Sequence, residues 1–112
     1  MDIKTLKLVH GLQGKSVGYG VLEVKTASSS EIKLKPALWV RGSRQYFDFY
    51  SFKFYSEVNL SEISRKVYPA KIRRENGKIY LTAEGGREIE LPKNYFDKLY
   101  ERLVYKEDVV FL

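Results

Sequence analysis

Cysteine is absent from this 112-residue chain, which removes disulfides, thiolate metal sites and cysteine nucleophiles together. Histidine occurs once, as His10. It alternates with Leu6 and Leu8 and has no serine or carboxylate at an assignable spacing, so it reads as a strand-end residue rather than a base. With one histidine and no cysteine, any metal site would have to be built from carboxylates. No apolar run approaches the ~20 residues that span a bilayer. The opening Met1-Asp2-Ile3-Lys4 alternates instead of forming an apolar signal core. A small secreted domain usually needs disulfide staples, so a cytoplasmic setting is expected, and the Asn59-Leu60-Ser61 sequon is then coincidental.

What is present is a Lys/Glu-rich chain with a single methionine, a thermophile-like composition. Hydrophobic residues make up 44% and charged residues 30%, the balance of one folded domain over 1–112. The net charge of +6 is uneven. Residues 1–55 carry nine Lys/Arg against four Asp/Glu, and residues 56–112 carry eleven against ten. Basicity gathered in one half points to an anionic partner, most often nucleic acid.

Along the chain, Ile3 to His10 and Tyr19 to Thr26 read as strands. Ile32, Leu34, Pro36, Leu38 and Val40 then alternate with Lys33, Lys35, Ala37, Trp39 and Arg41, a strand with one apolar and one basic face. Pro36 lacks an N–H and marks an edge or a bulge. Arg41-Gly42-Ser43-Arg44 forms a turn into an aromatic strand, Gln45 to Tyr55. Asn59 as N-cap with Glu62 three residues on predicts a short helix near 60–68, stopped before Pro69. Asn76-Gly77 predicts a hairpin between 71–74 and 78–82, and Gly85-Gly86 a turn into Arg87 to Leu91. After Pro92, Tyr95, Phe96, Leu99, Leu103 and Val104 recur at helical spacing, predicting a longer amphipathic helix near 92–105. The apolar Val109-Val110-Phe111-Leu112 reads as a final strand or docked tail. The expected fold is α+β, a bent antiparallel sheet of six to seven strands with these two helices.

Motifs that would carry chemistry are incomplete. Gly11-Leu12-Gln13-Gly14-Lys15-Ser16 has the end of a phosphate-binding loop, but Val9 stands where the first glycine belongs and a strand-like segment follows. Glu23-Val24-Lys25 is similar to the metal-ligand and lysine elements of restriction-type nucleases, which also need an aspartate on the preceding strand. The only acidic residue upstream is Asp2, and Glu31-Ile32-Lys33 repeats the spacing. Glu84, Glu88 and Glu90, interleaved with Arg87, read as a solvated strand face. Neither catalysis nor a cofactor is expected. Near the C-terminus, Ile89-Glu90-Leu91-Pro92-Lys93, Leu99 and Lys106-Glu107-Asp108-Val109-Val110-Phe111 locally resemble, in order, AbrB-type swapped-hairpin DNA-binding domains. The helix is about a turn longer and the usual glycines are missing, so no residue role is carried over.

The strongest constellation is the basic aromatic hairpin. With a two-residue turn at Gly42-Ser43, Trp39 opposes Tyr46 and Lys35 opposes Tyr50. One face then holds Lys33, Lys35, Trp39, Arg41, Arg44, Tyr46 and Tyr50, and the other Leu34, Leu38, Val40, Phe47 and Phe49. Continued past Tyr50, this register turns Phe52 and Phe54 outward. Either a bulge reverses the phase, or a three-residue turn brings Phe47, Phe49, Lys53 and Tyr55 beside Trp39. Rings flanked by cations suit single-stranded DNA or RNA, whose bases stack while Lys and Arg neutralise phosphates. The expected function is non-catalytic, sequence-tolerant binding of single-stranded nucleic acid. The alternative is a homo-oligomeric (homodimeric) interaction or regulatory module of archaeal or viral type, with the aromatic face as partner interface.

Overall fold

Period-two alternation dominates the chain, and most of it folds as strand. The computed structural model describes residues 15–48, 51 and 53–106. Its elements are β1 (Val17–Thr26), β2 (Ile32–Val40), β3 (Gln45–Asp48), β4 (Lys53–Ser56), β5 (Val58–Asn59), β6 (Ile63–Glu75), β7 (Lys78–Ala83), β8 (Arg87–Glu90) and α1 (Tyr95–Lys106). All pairings are antiparallel, in the order β4-β3-β2-β1-β6-β7-β8, with β5 pairing β6. The 3-10 turn Glu84–Gly86 leads into β8. Asn76 and Gly77 both adopt positive φ, 51° and 76°, as the tight β6–β7 hairpin requires.

The domain is therefore mostly β, and the expected α+β class with two helices is corrected. Residues 63–68, expected as helix, lie in β6 and pair along β1, from Thr26↔Ile63 to Gly20↔Pro69. The residues that suggested a helix cap sit in the hairpin between β5 and β6, where the Leu60 N–H donates to the Ile63 carbonyl (2.9 Å). Asn, Ser and Glu serve tight turns as readily as caps, and β-branched Ile63 and Val67 favour strand. One helix of twelve residues, α1, is present among the described residues. No described helix is long and apolar enough to cross a membrane.

A second correction concerns the aromatic strand Gln45–Tyr55. It is two strands, because Asp48 pairs with Lys53 in an antiparallel ladder. This reversal, rather than a bulge or a longer turn at 42–43, resolves the phase conflict. Phe47 and Phe54 meet on the core side with ring centroids 5.0 Å apart, and Tyr46 and Tyr55 meet on the other side. The expected strand at 3–10, Tyr50 and the apolar tail at 109–112 lie outside the described residues. Lys15 and Ser16 run directly into β1, so a strand and not a helix follows the Gly-Lys-Ser sequence.

Backbone partners explain where the prolines fall. The Arg41 N–H donates to the Ser16 carbonyl (2.9 Å), so odd-numbered residues of β2 aim their N–H groups at β1 and even ones aim away. Pro36, opposite Val21, thus removes no bond to β1. In β6 the Val67 N–H points away from β1 and donates to Glu57 Oε2 (2.9 Å). Pro69, two residues on, has the same orientation and no hydrogen to satisfy. Glu57 also donates its own N–H to the Arg44 carbonyl (2.8 Å). It is the single residue between β4, which pairs with β3, and β5, which pairs with β6. The pairings therefore run in a circuit through β1, β2, β3, β4/β5 and β6. A closed circuit forces the sheet to curl.

The main core lies on the Leu38 side of that sheet. Val17, Val21, Leu38, Val40 and Phe47 pack there against Leu81 from β7 and against Leu91, Tyr95, Phe96 and Leu99 around α1. Tyr19 meets the edge of Phe96 (5.8 Å, 85°), and burial pushes its phenol up to about 12. One charged residue is buried among the described residues, Glu23 at 7% exposure. Its carboxylate accepts from Arg87 Nε (2.8 Å), while Arg87 also donates to Tyr68 Oη (3.2 Å) and the Glu84 carbonyl (2.9 Å) and lies 3.8 Å over the Tyr68 ring. Glu23 of the Glu-x-Lys element thus pins β8 to β1 and β6, and Lys25 lies 3.5 Å from the same carboxylate.

Removing one partner of a buried pair strands the other. Glu23→Gln lowers the urea midpoint clearly. Glu90→Gln, which breaks an exposed pair with Lys78, shifts stability by less than ~1 kcal/mol. The combined Glu23→Leu and Arg87→Met variant recovers most of the loss. Leu81→Ala, at a fully buried site, destabilises by about 2–5 kcal/mol in the same measurement.

Candidate functional site

The site is built on the face of the curled sheet opposite the main core. Alternation along β2 places Lys33, Lys35, Ala37 and Trp39 there, against Leu34, Leu38 and Val40 on the core side. The register is Trp39↔Tyr46 and Leu38↔Phe47, as a two-residue turn at Gly42-Ser43 requires. Gly42 supplies the positive φ of 74°. The Ser43 hydroxyl donates to the Val40 carbonyl (2.9 Å) and accepts from the Gln45 N–H (3.0 Å). The Ser43 carbonyl accepts from Trp39 Nε1 (3.1 Å), so the turn that sets the register also anchors the indole.

Two glycines on β1 allow close packing beneath this face. Gly18 lies opposite Trp39 and Gly20 opposite Ala37. A Cβ on Gly20 would stand 3.0 Å from Val67 Cγ2 and 3.3 Å from both Trp39 Cβ and the Tyr68 carbonyl oxygen. Over Gly18 lies the guanidinium of Arg41, whose Nε donates to the Val17 carbonyl (3.3 Å). Leu22, Ala37, Tyr46 and Val67 form a small buried cluster, with Val24 and half-buried Trp39 packed on it. Burial pushes the Tyr46 phenol up, an effect opposed by the charge of Arg65. Tyr46 is on β3 and Arg65 on β6, with β2 and β1 between them. The Glu57 link between β4 and β5 brings β3 and β6 around toward each other.

Of the expected site residues, Lys33, Lys35, Trp39 and Tyr46 share this face, and Arg41 and Arg44 flank the turn that closes it. The three rings differ in what they offer. Tyr46 is 3% exposed and stacked on Tyr55 (5.6 Å, 24°). Tyr55 is 36% exposed at the rim, with its hydroxyl 3.1 Å from Ser51 Oγ. Lys53 and Tyr55 reach the site because the chain reverses after Asp48. Arg65 joins it through cross-strand alignment with Val24 and Lys33. Nothing local in the sequence marks Arg65, since its place depends on β6 being a strand.

Charge is distributed unequally along the outer side of the sheet. Lys33, Lys35, Arg44 and Lys53 are exposed and form no ion pair among the described residues. On the outer face of β6–β8, Arg73 is bound by Glu75 and by Glu88 (2.8 Å), Lys78 lies 3.5 Å from Glu90, and Arg73 covers the Tyr80 ring (4.3 Å). Asp48, opposite Lys53, is the acidic neighbour on that face; the cations near Trp39 are otherwise less neutralised than those on β6–β8.

Gly20→Ala tests the packing beneath the site. Overpacking there is expected to destabilise by ~1–3 kcal/mol and to shift the emission of Trp39, the single tryptophan; unchanged emission and stability would contradict the close approach. No protein-family model, curated protein or solved structure matches this chain.

Proposed function

We propose that the protein binds single-stranded nucleic acid, without catalysis and with little regard to sequence, on the basic aromatic face of its curled sheet. The observation that carries this reading is the coincidence, on one face and around its turn, of cations that form no ion pair among the described residues with partly exposed rings: Lys33, Lys35, Arg44 and Lys53 beside Trp39 and Tyr55. Base stacking on a ring contributes ~1–3 kcal/mol per base, and lysine and arginine neutralise the phosphates. Arg41 and Arg65 add charge at the two ends, and Tyr46 supports Tyr55 from beneath. Paired duplex hides its base faces, so a site whose apolar contacts are rings favours unpaired strands. A cytoplasmic setting belongs to the same reading, given a chain without cysteine.

Fluorescence anisotropy with labelled DNA and RNA oligonucleotides tests this directly. Four phosphate contacts give a plot of log K against log salt with a slope of about −3, from ~0.7 per phosphate for single strands. Trp39→Ala weakens binding by fivefold or more, and Lys98→Ala, on the exposed side of α1, leaves it within about twofold. Salt-insensitive or undetectable binding refutes the proposal. If binding is absent and the protein sediments as a dimer that Trp39→Ala dissociates, the face is a contact between copies instead.

A further inference from the structure

We infer that the bound strand lies along β2 rather than across the sheet, with its bases at the Trp39 end and its phosphates led toward Lys33. This rests on the nucleic-acid reading and specifies the class of ligand: an extended, unpaired segment of about four to six nucleotides.

The first argument is the state of the rings. Trp39, Tyr46 and Tyr55 align across three strands and would invite a ligand to cross them, one base on each. The middle ring is unavailable, because Tyr46 is 3% exposed and its face is already stacked on Tyr55. A crossing strand would lose its central base contact.

The second argument is the placement of cations. Arg41 and Arg44 lie beyond the Trp39–Tyr46–Tyr55 row at the turn, and Lys53 lies one row past it on the other side. Lys35 is on the following row beside Leu22, and Lys33 ends the series beside Val24 and Arg65. Successive rows are two residues apart, about 7 Å along the strand. Positive charge thus recurs at intervals along β2, on both sides of Trp39, and no comparable series runs across the strands. The six residue steps from Trp39 to Lys33 span about 20 Å at ~3.3 Å per step. Stacked nucleotides advance at least ~3.4 Å each, so at most about six fit, and small single-strand platforms take upward of about four.

Oligothymidylates of two, four, six and twelve nucleotides, titrated by Trp39 quenching at several salt concentrations, distinguish the two paths. Lys33 is exposed, so Lys33→Ala leaves the fold intact. Along β2, Lys33→Ala leaves dinucleotide affinity unchanged, weakens the hexamer by about threefold or more, and reduces the hexamer's salt slope by ~0.7. Affinity then rises little between six and twelve nucleotides. If oligonucleotides bind but Lys33→Ala is silent at every length, or affinity climbs steeply to twelve, the path along β2 is wrong while the binding function stands. If none of them quenches Trp39 or shifts the anisotropy, the underlying function fails as well.

Discussion

The free edge of β6 governs this fold. A strand of thirteen residues presents two rows of backbone donors and acceptors, and each group must find a partner or meet water. One edge is occupied by β1 over 63–69. The other is taken by β5 at Ser64 and Arg65 and by β7 from Ala70 onward. Between them Glu57 accepts the Val67 N–H, and Pro69 has none to offer. Because Glu57 also joins β4 to β5, meeting this local requirement draws the β3–β4 hairpin around to β6. The curl of the sheet, the burial of Tyr46 and the approach of Arg65 all follow from that one linkage.

The curl divides the labour of the two faces. The Leu38 side carries the main core, closed by β7, β8 and α1 and pinned by Glu23–Arg87. The Trp39 side carries only a small apolar cluster, so its rings stay close to the surface and its lysines stay in solvent. Carboxylates are concentrated at the β6–β8 end of the sheet, where Glu75, Glu88 and Glu90 engage Arg73 and Lys78. The excess of positive charge in the first half of the chain is thereby expressed as a local field rather than a diffuse one.

Much of this was legible wherever turn chemistry is explicit. Asn76-Gly77 and Gly42-Ser43 each specify a hairpin, and the Trp39↔Tyr46 register follows from counting outward from the latter. Where a reversal lacks Gly or Pro it was hidden. Residues 45–55 read as one aromatic-rich strand, and no Gly or Pro in it marks the break between β3 and β4. The segment after Asn59 misled for a different reason, since cap residues and turn residues are the same residues and only the non-local pairing with β1 decides between them. The parts of the site contributed by Lys53 and Tyr55 depended on the first ambiguity and that of Arg65 on the second. The bridge from Glu57 to Val67, ten residues apart, follows no periodicity and could be found only in three dimensions.

Pro69 and Glu57 have a further consequence for how this protein meets other chains. An uncovered stretch of strand edge is a template on which a foreign β-strand can pair, and such pairing is a common route to aggregation. Between β5 and β7 no described strand covers β6 over a few residues, and its donors there are withdrawn: one is held by a carboxylate and one is replaced by a ring. An incoming strand would find no N–H to bond at Val67 or Pro69 and a negative charge in its path. The seam is left open to water but closed to uninvited strand addition.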